Sequence, residues 1–201
     1  REMWADPVLR ITIGGFALIA TFAFNHTVAF PLTVTDRLQA SDEYYGYLLS
    51  VMSVGSIAGS LFVARLVVVS QRFMLISAAL LGASLAAFSF ATTTWAAFML
   101  VIPLGAGMTL YMNSSNIIVQ QRTSPEMRSR ILALISVIFL GSTPIGGPIT
   151  GIIGDASGAL WANLYGALIT GGVLLITLPV LKVVTGSLNP AESAQARVTQ
   201  R

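Results

Sequence analysis

Apolar residues in this chain do not alternate with polar ones. They gather in six long runs, at positions 11–34, 44–69, 73–91, 95–118, 131–155 and 163–184, with short polar stretches between them. Each run holds about 20 residues, enough as a helix to cross about 30 Å of hydrocarbon. Runs of that length predict membrane-spanning helices rather than strands or surface helices. Start signals fit these positions. Asp6 and Pro7 form an N-cap and first-turn pair, and Ser41, Asp42 and Glu43 cap and charge the second start. Ser124 with Pro125 opens the fifth helix. Pro31 is expected to interrupt the first run near its far end. Residues 91–95 read as a tight hairpin, residues 121–130 as a loop and residues 157–161 as a turn. The polar, Ala/Ser-rich stretch 185–201 reads as a disordered tail. The chain thus divides into a six-helix domain, 1–184, and a tail, 185–201.

Composition sharpens the picture. The chain is 55% hydrophobic and 9% charged, against about 25% charged in a soluble domain. It cannot cover a water-facing surface, so its first partner is the lipid bilayer. With no cysteine there is no disulfide framework and no thiolate chemistry. The net charge of +3 is spread over short loops rather than gathered in a patch, so no nucleic-acid partner is expected. The basic residues orient the chain instead. With both termini in the cytoplasm, all of the 11 Lys and Arg except Arg37 fall inside. The first run is too long for a cleavable signal peptide. A chain that begins with Arg1 is expected to be a piece of something longer, or a processed product.

Candidate chemistry lies within the runs. The fifth carries Gly141, Pro144, Gly146, Gly147, Pro148, Gly151 and Gly154. A soluble helix would lose about 1 kcal/mol per interior glycine and about 3 per proline, whereas membrane neighbours can re-satisfy the freed carbonyls. This run is expected to pack closely on a neighbour and to bend. Gly55 and Gly59 make a G-x-x-x-G pair suited to close helix contact. Gly105, Thr109, Asn113, Asn116 and Gln120 share one face of the fourth helix. That stripe reads either as interhelical hydrogen bonding or as the wall of a water-filled substrate path. Thr21 and Asn25 share a face of the first helix, and His26 is the one ionisable group well inside a run. It reads either as a functional, titrating group or as a neutral hydrogen-bonded one. No run has an Asp, Glu, Lys or Arg near its centre, so a coupling carboxylate is expected elsewhere. Arg65, Arg122, Arg128 and Arg130 are assigned to the cytoplasmic loops, Arg65 as a topology anchor or a locking contact.

An internal repeat is weakly visible. Runs one and four are the polar ones, and runs three and six are plain, as in two three-helix repeats of opposite orientation. An intramembrane serine protease is a remote alternative. Gly82-Ala83-Ser84-Leu85 lacks the second glycine of a nucleophile elbow, and no H-E-x-x-H or metal-ligand cluster is present. The chain reads as a non-enzyme with no metal and no cofactor.

Three segments carry a resemblance: DPVLR at 6–10, YGYLLSVMSVGSIAGSLFVAR at 45–65 and QRTSPEMRSRILALISVIFLGSTPIGGPITGIIGD at 121–155. Together they cover 61 of the 201 residues, a little under a third of the chain. The chain resembles the C-terminal half of a major facilitator superfamily transporter, most of all the bacterial efflux branch of enterobactin exporters and transmembrane secretion effectors. The resemblance implies six helices of a twelve-helix, all-α fold in a bacterial inner membrane. A cavity for a small-molecule substrate would lie between this half and an N-terminal six-helix half, faced by runs one, two, four and five. It further implies proton-coupled efflux of amphipathic compounds or a siderophore-like metabolite. Gly146-Gly147-Pro148 with Gly151 is similar to the superfamily's antiporter motif, here on the symmetry-related helix. The loop after run two has Arg65 and Arg72 but lacks the family's Asp. A stand-alone six-helix chain that dimerises, or that does not transport, is the alternative.

Overall fold

The computed structural model describes residues 6–66 and 68–186. Six of its helical segments are long and apolar enough to cross a membrane. The first span is composite. It consists of α1 (Pro7–Ala23), α2 (His26–Leu32) and a π-helical turn (Thr33–Arg37). The others are α3 (Glu43–Ala64), α4 (Gln71–Ser89), α5 (Thr94–Arg122), α6 (Pro125–Ser157) and α7 (Ala159–Gly186). Among the described residues the secondary structure is helical, without strands.

Three starts obey local chemistry, whereas at α3 the expected cap makes no side-chain bond and only Glu43 in the first turn remains. Asp6 Oδ1 accepts from the Val8 N–H at 2.8 Å, with Pro7 in the first turn. Ser70 and Thr93 cap α4 and α5 through the Phe73 and Ala96 N–H groups. Each bond satisfies a donor that a helix start leaves open.

Four boundaries differ from expectation. The first span does not break at Pro31. It breaks at Phe24–Asn25, because the Asn25 side chain competes with the main chain for a carbonyl. Pro31 sits inside α2, just before the π-turn, where Leu38 N–H reaches the Thr33 carbonyl at 3.0 Å. The second span ends at Ala64 rather than 69, since Ser70 must be extended to cap α4. The expected loop 121–130 is almost wholly helical. Arg122 lies in the last turn of α5, and Arg128 and Arg130 lie in the first turns of α6. The turn at 157–161 shrinks to Gly158, whose φ of 84° suits glycine. Residues 187–201 of the expected tail lie outside the described residues, as does Arg1.

Inside the bundle, α3 packs on α5, α5 on α4, α4 on α7, and α1 on both α7 and α6. Phe16, Phe30, Phe88, Leu9, Ile19 and Leu81 are fully enclosed, and Phe30 meets Phe88 with ring centroids 5.0 Å apart. Outward residues are equally apolar; Leu140, for example, is 71% exposed. In lipid this separates nothing by hydrophobicity, so shape and hydrogen bonding must hold the helices together.

Helix α6 runs through Pro144 and Pro148 without a break in its helical assignment. Its 33 residues span about 50 Å.

Candidate functional site

The break in the first span is built by Asn25. Its amide nitrogen donates to the Thr21 carbonyl at 2.7 Å and to the Tyr165 hydroxyl at 3.3 Å. The carboxamide supplies to Thr21 the bond that a continuing helix would supply from the main chain. The Asn25 carbonyl then accepts from the Val28 and Ala29 N–H groups at 3.0 and 2.9 Å, which starts α2. Tyr165 also makes a short hydrogen bond to the Thr150 hydroxyl of α6. Two glycines let the neighbouring helices approach the broken main chain. A Cβ on Gly146 would fall on the Thr21 carbonyl and the Asn25 side chain. One on Gly166 would lie 2.6 Å from the Phe22 carbonyl. Asn25 is thus held by α6 and α7 together.

Beside this junction lies a cavity of about 20 Å³ lined by Asn25, His26, Phe30, Leu81 and Asn163, among others. That is room for one water. Asn163 is 2% exposed. Its amide nitrogen donates to Thr33 Oγ1 at 2.8 Å and to the Ala159 carbonyl at 2.9 Å. Its Oδ1 is buried without a protein partner, so the cavity has an acceptor to offer. His26 is half-buried, packs on Phe30 with centroids 5.8 Å apart, and turns back toward the Phe24 carbonyl.

The stripe on the fourth span divides into two parts. Gly105 and Thr109 belong to a seam with α3. A Cβ on Gly55 would fall on the Ile102 carbonyl, and one on Gly105 on the Met52 carbonyl. A Cβ on Gly59 would lie 2.6 Å from Thr109 Oγ1. The Ser56 hydroxyl donates to the Gly105 carbonyl at 3.3 Å, and the Thr109 hydroxyl lies 3.2 Å from the Ser56 carbonyl. Asn113, Asn116 and Gln120 continue toward the basic end. All three are half-buried, and none makes a side-chain hydrogen bond to the described residues.

The two polar zones lie at different depths. Asn25 is about 27 Å along the first span from Pro7, whereas Asn116 is about 9 Å from Arg122. At the basic end, Arg122 pairs with Asp6 at 3.1 Å, joining the end of α5 to the start of α1. Arg65, Arg128 and Arg130 are exposed. At the other end, Arg37 Nε donates to the Ala91 carbonyl at 3.3 Å and ties the first span to α4.

Of the glycines and prolines in α6, Gly146 touches α1 directly and Gly147 makes ordinary contact with Val28. Gly141 and Gly151 have open space where a side chain would be, and Pro144 and Pro148 are exposed. Sequence reasoning missed Tyr165, Thr150 and Asn163. The available signal was a few polar residues in two apolar helices, but only the fold pairs Asn25 with a side chain 140 positions away.

The sequence model of the Major Facilitator Superfamily matches residues 12–200. Comparisons with curated proteins and with solved structures give no match. The family match takes in the broken first span, the α3–α5 seam and all the remaining spanning helices, so this multi-pass membrane chain belongs to the Major Facilitator Superfamily of transporters.

Proposed function

We propose that the chain is the C-terminal half of a twelve-helix secondary transporter. It exports small amphipathic compounds, including siderophore-like metabolites, by proton-driven alternating access across a bacterial inner membrane, with the basic end cytoplasmic. The observation that carries this reading is the set of three amides, Asn113, Asn116 and Gln120, half-buried and without hydrogen-bond partners among the described residues. Amides in a membrane helix need partners or water. A second six-helix unit that encloses a wet cavity supplies both.

The free faces of the bundle support the same reading. On α3, Gly46, Ser50, Ser53, Ile57, Ser60 and Ala64 are exposed at alternating four- and three-residue steps. On α6, Val137, Gly141, Pro144 and Pro148 follow the same rhythm. Small residues at that spacing suit close helix–helix contact, as an N-terminal half would make. Rocking of the two halves would then expose the amides to each side in turn. In this reading the junction at Asn25 gives the first span its flexible point, and His26 beside it, in the half away from the basic end, is the titrating group.

The test uses everted membrane vesicles containing the whole protein and a fluorescent amphipathic dye. Dye movement is expected to follow an imposed pH gradient and to stop with a protonophore. Gradient-independent movement would overturn proton coupling. The double variant Asn113→Ala with Asn116→Ala is expected to lose transport while keeping its thermal stability; unchanged transport removes both residues from the path. His26→Gln is expected to flatten the pH profile of transport. An intact mass of 21.2 kDa for the transporting species in its native membrane would favour the other reading, in which two copies pair across the same faces.

A further inference from the structure

A groove of about 750 Å³ opens at the basic end between α4, α5 and α7, apart from both polar zones. Its mouth and its depth have different chemistry. At the mouth stand Arg72 and Arg122, with Ser70, Gln71 and Gln121. No acidic side chain lines it. Arg122 is engaged by Asp6, whereas Arg72 is exposed and has no ion-pair partner among the described residues. The groove also meets the start of α4, whose first-turn N–H groups favour an anion. Deeper in, the walls are Leu75, Ile76, Leu174 and Leu178. Ile76 is 66% and Leu178 42% exposed, so the groove opens sideways, on apolar flanks that face hydrocarbon.

We infer that this groove binds an anionic glycerophospholipid. Arg72 meets the phosphate, and one acyl chain lies between α4 and α7. A free anion would leave the apolar walls uncovered. A zwitterionic lipid would leave the excess positive charge unmatched. The volume suits a headgroup and the upper part of one chain. The inference concerns a lipid site and stands whatever the transported substrate.

The test titrates the full chain in neutral detergent with phosphatidylglycerol, phosphatidic acid, phosphatidylcholine and inorganic phosphate, and reads bound lipid by native mass spectrometry. Phosphatidylglycerol and phosphatidic acid are expected to bind more tightly than phosphatidylcholine. Arg72→Gln is expected to weaken phosphatidylglycerol about five-fold, the ratio for about 1 kcal/mol per near-surface cation. Arg130→Gln, an exposed cation outside the groove, is expected to leave binding unchanged. Equal retention of phosphatidylglycerol and phosphatidylcholine would overturn the inference. So would equal effects of the two arginine variants, or full displacement by inorganic phosphate. A photo-cross-linking side chain at Ala79, which also lines the groove, is expected to capture phospholipid in native membranes. Capture of residues 187–201 or of a second copy would assign the groove to protein instead, and the lipid proposal would fail.

Discussion

The α3–α5 seam and the junction at Asn25 are both polar places in a lipid-bathed bundle; both set bare glycines against carbonyls, and only the junction adds a broken main chain and side-chain amide bonds. At the seam, main chain lies on main chain. Gly55 and Gly105 each offer a surface with no side chain to the carbonyl of the other helix, and the Ser56 and Thr109 hydroxyls close the remaining gaps. At the junction the main chain itself is interrupted, and Asn25, Tyr165 and Thr150 carry the load. A backbone contact has one register, and sliding it by a fraction of a turn drives a carbonyl into a Cα. Side-chain hydrogen bonds in membranes average about 0.6 kcal/mol and reach about 1.7, so they can be exchanged for water or for one another. The seam is therefore expected to hold one register, and the junction to be the place where hydrogen bonds can be exchanged. Polar or small residues in a membrane helix are thus two signals. Glycine with hydroxyls marks contact, and amides with tyrosine mark a place that can rearrange.

That contrast can be broken most forcefully at Gly55. Gly55→Leu places a large side chain where the Ile102 carbonyl lies and is expected to cost about 3 kcal/mol or more, read as loss of monodisperse protein after mild heating. A variant as stable as the parent would end the distinction between fixed and movable parts. Gly146→Ala comes next. Its methyl group meets the Thr21 carbonyl at a cost of about 1–3 kcal/mol, only partly offset by alanine's helix preference of about 1 kcal/mol. A lowered melting temperature is expected. An unchanged one would mean that α6 shifts freely on the first span.

Tyr165→Phe should have a smaller effect. It removes the hydroxyl shared by Asn25 and Thr150, at about 0.6–1.7 kcal/mol, and should speed hydrogen exchange at residues 24–27. Unaltered exchange there would show that the hydroxyl does not hold the junction. The smallest effect belongs to Gly141→Ala and Gly151→Ala. Neither position meets another atom within 4 Å, so stability should stay level or rise slightly. Loss of transport without loss of stability would sharpen the contrast by adding a third class, residues reserved for a second six-helix unit.

The spans were legible because twenty apolar residues in a row admit few other structures. Asp6 with Pro7 was legible because capping is local. Gly55 and Gly59 were legible as a packing pair, but their partner was not. Gly105 looked like part of a polar face, since one-dimensional spacing cannot say which neighbour a face meets. The break at Asn25 was hidden by Pro31. Proline is the louder breaker in any sequence, whereas Asn25 breaks the helix only where Tyr165 and a bare Gly146 wait for it. The α6 glycines were legible as a close-packing set only in part: Gly146 meets the Thr21 carbonyl, whereas Gly141 and Gly151 meet open space.

The Gly55–Gly105 seam also sets an order of assembly. Its two sides belong to the second and fourth spans, so α3 must enter the membrane before its partner exists. At about 5–20 residues per second, the ribosome needs several seconds to carry synthesis from the end of α3 to the end of α5. For that interval the bare glycine face of α3 rests against lipid or a chaperone, with α4 already made and unable to fill it. The moment of greatest exposure to misassembly therefore falls between the synthesis of α3 and that of α5, and the arrival of α5 ends it.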